Sequence, residues 1–227
     1  MIKREYKLTI SQQKAQMDML SAQLSPHFLY NTLERIRMRA VAEDARDVAE
    51  ATAGLGLLYR NIVKTEAVIP MKRELEITRQ YLDLMTFLYG DQFMYFFDVD
   101  EELEEIPTPK IWMQPIVENF FKHNFQQDDQ IKVIIVELRT RKNGFEGHFF
   151  DNIGHMEPER VEELNEALAN DSTEGQGIGL YNVLHRLRLY YGGSLKMKIE
   201  NNDPAGIGIR ILYEKEETQN VPASDRG

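Results

Sequence analysis

The stretch QLSPHFLYNTL, residues 23–33, decides how the first third of the chain is read. Around it, apolar residues recur at steps of three and four: Met17, Leu20 and Leu24 before the proline, then Leu29, Leu33, Ile36 and Ala40 after it. That period is helical. A proline inside a helix removes one backbone hydrogen bond and crowds the preceding turn. It also disfavours helical geometry at Ser25. The apolar phase slips by a residue or two near Pro26, which predicts a bend within one helix rather than a helix end. Two readings of the next residue, His27, stand side by side. It is a partly buried histidine beside a kink, or it is a nucleophile on an outer helix face, since neutral imidazole attacks well near pH 7. Asn31, one turn on, lies on the same side and can orient the ring by hydrogen bonding.

Working outward, a second helix spans about Asp44 to Lys64, with Leu55, Leu58, Ile62 and Val63 on its apolar side. Two helices cannot bury two apolar faces alone, so the hairpin predicts a four-helix bundle completed by a second copy. Composition narrows the remaining choices. The chain has 227 residues, 37 acidic against 27 basic, and a net charge of -10, which argues against general nucleic-acid binding through phosphate neutralisation. There is no cysteine, hence no disulfide framework and no thiolate metal site. No apolar run approaches the ~20 residues of a membrane span, and no signal peptide is visible. The start, MIKREYKLTISQQKAQ, enters helix-forming residues without a capping signal, which suggests a piece of something longer.

Residues 65–70 break the helical pattern, and Pro70 opens a third helix closed by Gly90. QFMYFFDV, residues 92–99, reads as a strand. A helix follows Pro109. Residues 131–139 and 145–151 read as a strand hairpin around Lys142, Asn143 and Gly144. A polar helix over about 157–169, a mobile loop, and a helix from Ile178 to Tyr191 ended by Gly192 and Gly193 come next. Two strands flank NNDPAG, and the tail 216–227 reads as disordered. The expected organisation is a helical hairpin at 1–66, then an α/β unit at 67–215 with a mixed sheet and helices on one face. Residues 67–90 form a connecting helix.

Four clusters carry possible chemistry. His27 and Asn31 form the first. QPIVENFFKHN, residues 114–124, puts Glu118 over Lys122 and Asn119 over His123 on a helix. A carboxylate, a carboxamide and an ammonium at that spacing can hold a hydrated Mg²⁺ and a phosphate chain, or simply make one surface ion pair. DNIGHM, residues 151–156, places Asp151 at the mouth of a buried strand, where it can accept from an exocyclic amine such as that of adenine, or merely begin a turn. EGQGIGLYNVLHRLRLYYGG, residues 174–193, sets Gly175, Gly177 and Gly179 before a helix, an arrangement that favours a phosphate. The spacing GxGxG after a polar loop is not the dinucleotide fingerprint, which needs GxGxxG after a strand.

Each cluster is weak alone, but their order is specific. Together SPHFLYNTL, QPIVENFFKHN, DNIGHM and GIGLYNVLHRLRLYYGG resemble the cytoplasmic catalytic core of a bacterial sensor histidine kinase, of the LytS/YesM-type subgroup, over residues 15–214. The resemblance implies a dimerisation and histidine-phosphotransfer hairpin at 1–66 and an ATP-binding domain of the gyrase, Hsp90, histidine kinase and MutL type at 67–215. It implies that His27 is the phosphoacceptor, that Asn119 ligates Mg²⁺ and that Glu118 assists with the metal or with proton transfer. Lys122 and His123 match positions near the phosphates, and Asp151 matches the adenine-binding aspartate. Gly175, Gly177, Gly179, Leu180 and Asn182 match the glycine box beneath the phosphates. Residues 153–176 would form a lid over ATP. Implied too are a homodimer, transfer to an aspartate of a response regulator, and a cytoplasmic placement below a membrane sensor segment upstream.

Two departures bear on that expectation. The family pattern after the adenine-binding aspartate is DNGxGM, and here Ile153 and His155 stand at the glycine positions. Glycine there permits backbone angles that isoleucine does not, so nucleotide affinity or lid motion would be weakened and replacement by glycine would restore them. Phe28 follows His27 where many histidine kinases carry an acid, which leaves Glu118 as a candidate base. The competing reading is a dimeric signalling scaffold with a degenerate nucleotide site. A third, an ATPase or serine kinase on the same nucleotide fold, does not need the hairpin with its PH motif.

Overall fold

The turn between the first two helices shows how local chemistry sets the hairpin. In this computed structural model, which describes residues 26–63, 66–124, 130–170, 178–202 and 205–215, α1 spans Pro26–Ala42 and α2 spans Arg46–Val63. The amide of Ala45 donates to Ala40 O and that of Asp44 to Val41 O, at 2.8 and 3.2 Å. This pair of bonds closes a helix with a left-handed residue, and Asp44 takes that role at φ 56°. Asp44 therefore ends the first helix rather than opening the second, as the sequence pattern suggests. Pro26 is the first described residue of α1, and the bend expected before it lies outside the described residues.

The two compact units are Met1–Thr65 and Glu66–Gly227. Within the first, α1 and α2 bury Ala40, Ala49, Gly56 and Leu58 between them. The Arg60 guanidinium lies 4.4 Å from the Tyr30 ring centroid and donates to its hydroxyl. Leu29 and Ile36 on α1, and Val48, Leu55 and Ile62 on α2, stay exposed. Both rows repeat every seven residues, the period of a seam that packs against further helices.

The second unit opens with β1 (Val68–Pro70), whose antiparallel partner is β3 (Pro107–Pro109), a short ribbon not foreseen from the sequence. Three prolines at its ends leave it few donors, which is why no strand pattern is visible there. α3 (Met71–Tyr89) follows, then β2 (Phe93–Val99), α4 (Met113–Asn124), β4 (Lys132–Arg141), β5 (Gly144–Asp151), α5 (Pro158–Ala169), α6 (Ile178–Tyr191), β6 (Lys196–Asn201) and β7 (Ile207–Glu214). The five-stranded sheet runs β2-β4-β5-β7-β6, with β2 parallel to β4 and every other pair antiparallel. Residues 171–176 of the lid expected at 153–176, and the tail at 216–227, lie outside the described residues.

Strand alternation puts Ile134, Val136 and Leu138, Phe145 and Phe149, Met197 and Ile199, and Ile209 and Ile211 on one buried face. Met113, Ile116, Val117 and Phe120 of α4 and Val183, Leu184 and Leu187 of α6 belong to the same core. Burying each such side chain is worth about 1.5–3 kcal/mol. The edge strand β6 is covered by a side chain: the Asn165 amide donates to Ile199 O and accepts from Ile199 N, both at 2.8 Å. That amide occupies the place of a missing neighbour strand.

The opposite face mixes charged residues with an apolar row of Phe96, Ile135 and Phe150. There His148 stacks on Phe150 with ring centroids 4.4 Å apart, and its Nε2 lies 3.4 Å from Glu200 Oε1. Its Nδ1 lies 3.9 Å from Glu137, while Arg210 bridges Glu146 and Glu200 beside it. The ring rests over Gly208, where a Cβ would come within 2.8 Å of Nε2. Burial, helped by Arg210, pushes the imidazole below its ordinary value, against Glu200, Glu137 and Glu146. The unfolded chain therefore binds the proton more readily, and stability present above about pH 6.5 falls as the pH drops. Thermal midpoints measured between pH 7 and 5 are expected to fall less steeply in His148→Gln than in the wild type. Equal slopes would remove His148 from the acid response.

Candidate functional site

In the first unit, His27 is exposed on α1. The Asn31 side chain reaches it: Nδ2 lies 3.2 Å from Nδ1 and 3.3 Å from Nε2 of the ring. The amide N–H can donate to whichever ring nitrogen is unprotonated. The four-residue helical step alone brings the two together. Phe28 is 64 % exposed beside them, so the histidine stands on an open helix surface.

The second unit gathers the other three clusters around α4, α6 and the end of β5. Ile116, Val117 and Phe120 of α4 are buried, which leaves Glu118 and Asn119 half-buried at the rim. Lys122 Nζ meets Glu118 Oε1 at 2.9 Å. This is a solvated pair of small energetic weight, so Lys122 is free to turn toward another anion at little cost. Glu118 also stands near Tyr81, whose hydroxyl is pushed well up by burial and by that carboxylate. The side chain of His123 lies outside the described residues.

Asp151 is buried, at the last position of β5. Its Oδ1 accepts from Ile207 N at 2.7 Å and from Ile153 N at 3.2 Å, which fixes the carboxylate plane at the strand mouth. Asn152 has a structural part: its amide accepts from Val133 N at 2.7 Å and donates to Ile131 O at 2.9 Å, extending the ladder of β4. Asn201 holds the next stretch, accepting from Met156 N at 2.9 Å and donating to Met156 O at 2.7 Å. The one left-handed residue of this loop is Gly154, at φ 74°. Among the described residues the non-glycine positive φ angles belong to Asp44 and Ile111 alone. Ile153 and His155 thus have ordinary backbones, and the demand for glycine at those positions, expected from the family pattern, does not arise from their dihedral angles here.

At the start of α6, Gly179 is exposed, and a Cβ built there meets nothing within 4 Å. Asn182 is exposed one turn on, while the Leu180 side chain is buried in the core, leaving its backbone as the part that can face a ligand. Gly175 and Gly177 lie outside the described residues. Free amides at a helix start beside open space suit a phosphate. The donor set around α4 is oxygen, nitrogen and one ammonium, and no group of three or more His, Cys, Asp or Glu that could hold a metal occurs among the described residues. Such a site fits a hard, hydrated Mg²⁺ brought with phosphate oxygens rather than a preformed metal cage.

One buried residue escaped the sequence reading. Glu74 of α3 is fully buried, with Oε1 accepting from Trp112 N at 2.6 Å and Met113 N at 2.9 Å, and Oε2 from Ile111 N at 2.6 Å. Burial pushes this carboxyl up, while the three amide donors and nearby Arg186 pull it down. A signal was present: Glu74 shares the apolar stripe of Met71, Leu75, Thr78 and Leu82, where a glutamate is out of place.

A family model described as histidine kinase matches residues 15–93. The chain is 28 % identical over 199 residues to the sensor histidine kinase YesM of Bacillus subtilis, covering 87 % of this chain and 33 % of that protein. It is 29 % identical over 203 residues to the sensor protein LytS of Oceanobacillus iheyensis, covering 88 % and 34 %. The chain thus spans about a third of the length of these curated relatives. Among solved structures, a bacterial phosphotransferase shares the fold at 12 % identity with a TM-score of 0.50, covering 83 % of this chain and 89 % of that one.

Proposed function

We propose that the chain belongs to the histidine kinase family and is the phosphorylating core of a two-component sensor, with His27 as the group that receives phosphate from ATP. The observation that carries this reading is the presence on one chain of an exposed, amide-oriented His27 and of a second unit with Glu118 and Asn119 half-buried on α4 and Asp151 buried at the end of β5. The ring nitrogen bearing the lone pair, once released by the Asn31 amide, forms the bond to the γ-phosphorus. The bond from that phosphorus to the bridging oxygen breaks, and ADP leaves with its electrons. The other ring nitrogen gives up its proton, and Glu118 is the candidate to take it. Asp151 accepts from the adenine amine, Lys122 offsets phosphate charge, and the backbone of Gly179 and Leu180 with Asn182 receives phosphate oxygens. Bound Mg²⁺, held through Asn119, would neutralise charge on the transferring group.

Completion of the hairpin by a second copy accounts for the seven-residue rows Leu29–Ile36 and Val48–Leu55–Ile62, left exposed on the single chain. The phosphoramidate is a reactive donor, suited to transfer onto an aspartate of a response regulator. No helix among the described residues is long and apolar enough to cross a membrane. The test is incubation of the chain with γ-labelled ATP and Mg²⁺. Acid-labile, base-stable label on the protein supports the reading, and its absence under conditions where the nucleotide binds favours the scaffold.

The scaffold reading draws on Ile153 and His155, and those residues can be tested directly. Ile153 is buried and hydrogen-bonded to Asp151 through its amide. Ile153→Gly with His155→Gly is expected to cost about 3 kcal/mol of stability through the lost buried side chain. The affinity for Mg²⁺–ATP should stay within about threefold, because neither backbone is strained. A tenfold gain in affinity by calorimetry would restore the view that these residues disable the site.

A further inference from the structure

We infer that Glu74, acting with Arg186, is a positioning residue for the metal-binding end of the nucleotide site; this rests on the reading of Asn119 and Glu118 given above. Both polar groups of Ile111 are held by charged side chains, the buried Glu74 and the half-buried Arg186. Its N–H goes to Glu74 Oε2 at 2.6 Å, and its carbonyl accepts from Arg186 Nη2. Ile111 has φ 59°, a left-handed angle that a β-branched residue rarely adopts. Such a conformation persists only where the surroundings over-determine it, and here the two charged side chains do so.

The consequence falls on α4. Ile111 and Trp112 lead into that helix and Met113 is its first residue, and the amides of all three end on one carboxylate. A negative charge at a helix start also matches the helix dipole. Trp112 then packs edge-on against Phe149, at 5.6 Å and 77°, which indexes the start of α4 to β5, the strand that ends in Asp151. Near the other end of α4, Phe121 packs against Phe93 at 5.1 Å and Tyr81 at 6.0 Å. Between these anchors lie Glu118 and Asn119, half-buried on the helix. Their placement is inherited from the angle and height of the helix. Arg186 sits two turns into α6, so the same node sets α4 against the helix whose start carries Gly179 and Asn182.

Glutamine at position 74 has one acceptor oxygen. If that oxygen keeps Trp112 and Met113, the amide nitrogen faces the N–H of Ile111, donor against donor, and Ile111 is released. Adenine recognition at Asp151 is on a different element and would persist. The Glu74→Gln change should therefore act on the metal-dependent part of nucleotide binding, not on the whole.

The experiment is calorimetric titration of the 227-residue chain with a non-hydrolysable ATP analogue, with Mg²⁺ and with the metal chelated. In Glu74→Gln the gain in affinity on adding Mg²⁺ is expected to shrink at least tenfold, while affinity without metal changes less than threefold. Arg186→Lys, which keeps a cation but lacks the planar fork, is expected to shrink the gain about three- to tenfold and decides the matter if Glu74→Gln does not fold. An undiminished Mg²⁺ gain in folded variants, or equal losses with and without the metal, overturns the positioning role. A wild-type chain that binds the analogue with no Mg²⁺ dependence overturns the nucleotide reading itself.

Discussion

Replacing His27 by alanine is expected to lower acid-labile labelling from ATP at least a hundredfold, to background, while nucleotide affinity stays within about twofold. The first half follows from chemistry: His27 is the one histidine in residues 1–65, and Asn31 can only orient the ring. Loss of the attacking group removes the reaction rather than slowing one of its parts. The second half follows from placement. His27 is exposed on α1, in the unit Met1–Thr65, whereas the proposed nucleotide-binding residues belong to the unit Glu66–Gly227. Removing an exposed imidazole opens no cavity, so the helix and the hairpin remain. Label surviving in His27→Ala would move the acceptor elsewhere, and a simultaneous loss of nucleotide binding would show that the variant had disturbed more than the ring.

Asp151→Asn is expected to weaken ATP binding by roughly 10- to 100-fold, the range of one hydrogen bond to a charged partner at about 1.5–3 kcal/mol. The substitution is nearly isosteric. Its remaining oxygen can keep the bonds from Ile207 and Ile153, so β5 and β7 stay registered and the thermal midpoint should move little. The new amide nitrogen cannot accept from an adenine amine. A site built around an acceptor loses discrimination when the acceptor becomes a donor, so the preference for ATP over GTP should shrink along with affinity. Calorimetry with both nucleotides reads the result. Unchanged affinity and preference in a folded Asp151→Asn would remove Asp151 from base recognition and leave it the local role of tying Ile207 to the strand mouth.

Spacing alone makes much of this molecule legible. The three- and four-residue steps of α1 and α2, the aromatic strand β2, the alternation of β4 and β5 and the glycines after α6 each announce their element. The candidate residues are legible for the same reason, because helical steps of four place Asn31 over His27 and Glu118 over Lys122. Long-range pairing is what spacing does not show. The β1–β3 ribbon joins segments about forty residues apart through Val68–Pro70 and Pro107–Pro109, with proline-rich strands too short to show a period. Asp44 has the look of a helix start because aspartate caps helices well, yet it also tolerates the left-handed angle that the closing turn needs. Ile153 has the look of an obstacle because the family pattern sets glycine there, but the backbone puts the single left-handed residue of that loop at Gly154.

By itself the sequence determined the helices and the strands of the five-stranded sheet, their order, the unpartnered faces of the hairpin and the identity of the chemical groups, since these depend on local period and residue type. Only the tertiary structure decided that Glu74, an acid in an apolar stripe, closes the start of α4, that Arg186 holds the same turn from α6, and that Asn152 and Asn201 serve as backbone substitutes rather than ligands. The reason is physical. A buried polar group must find a partner, and which partner it finds depends on elements brought together from distant parts of the chain.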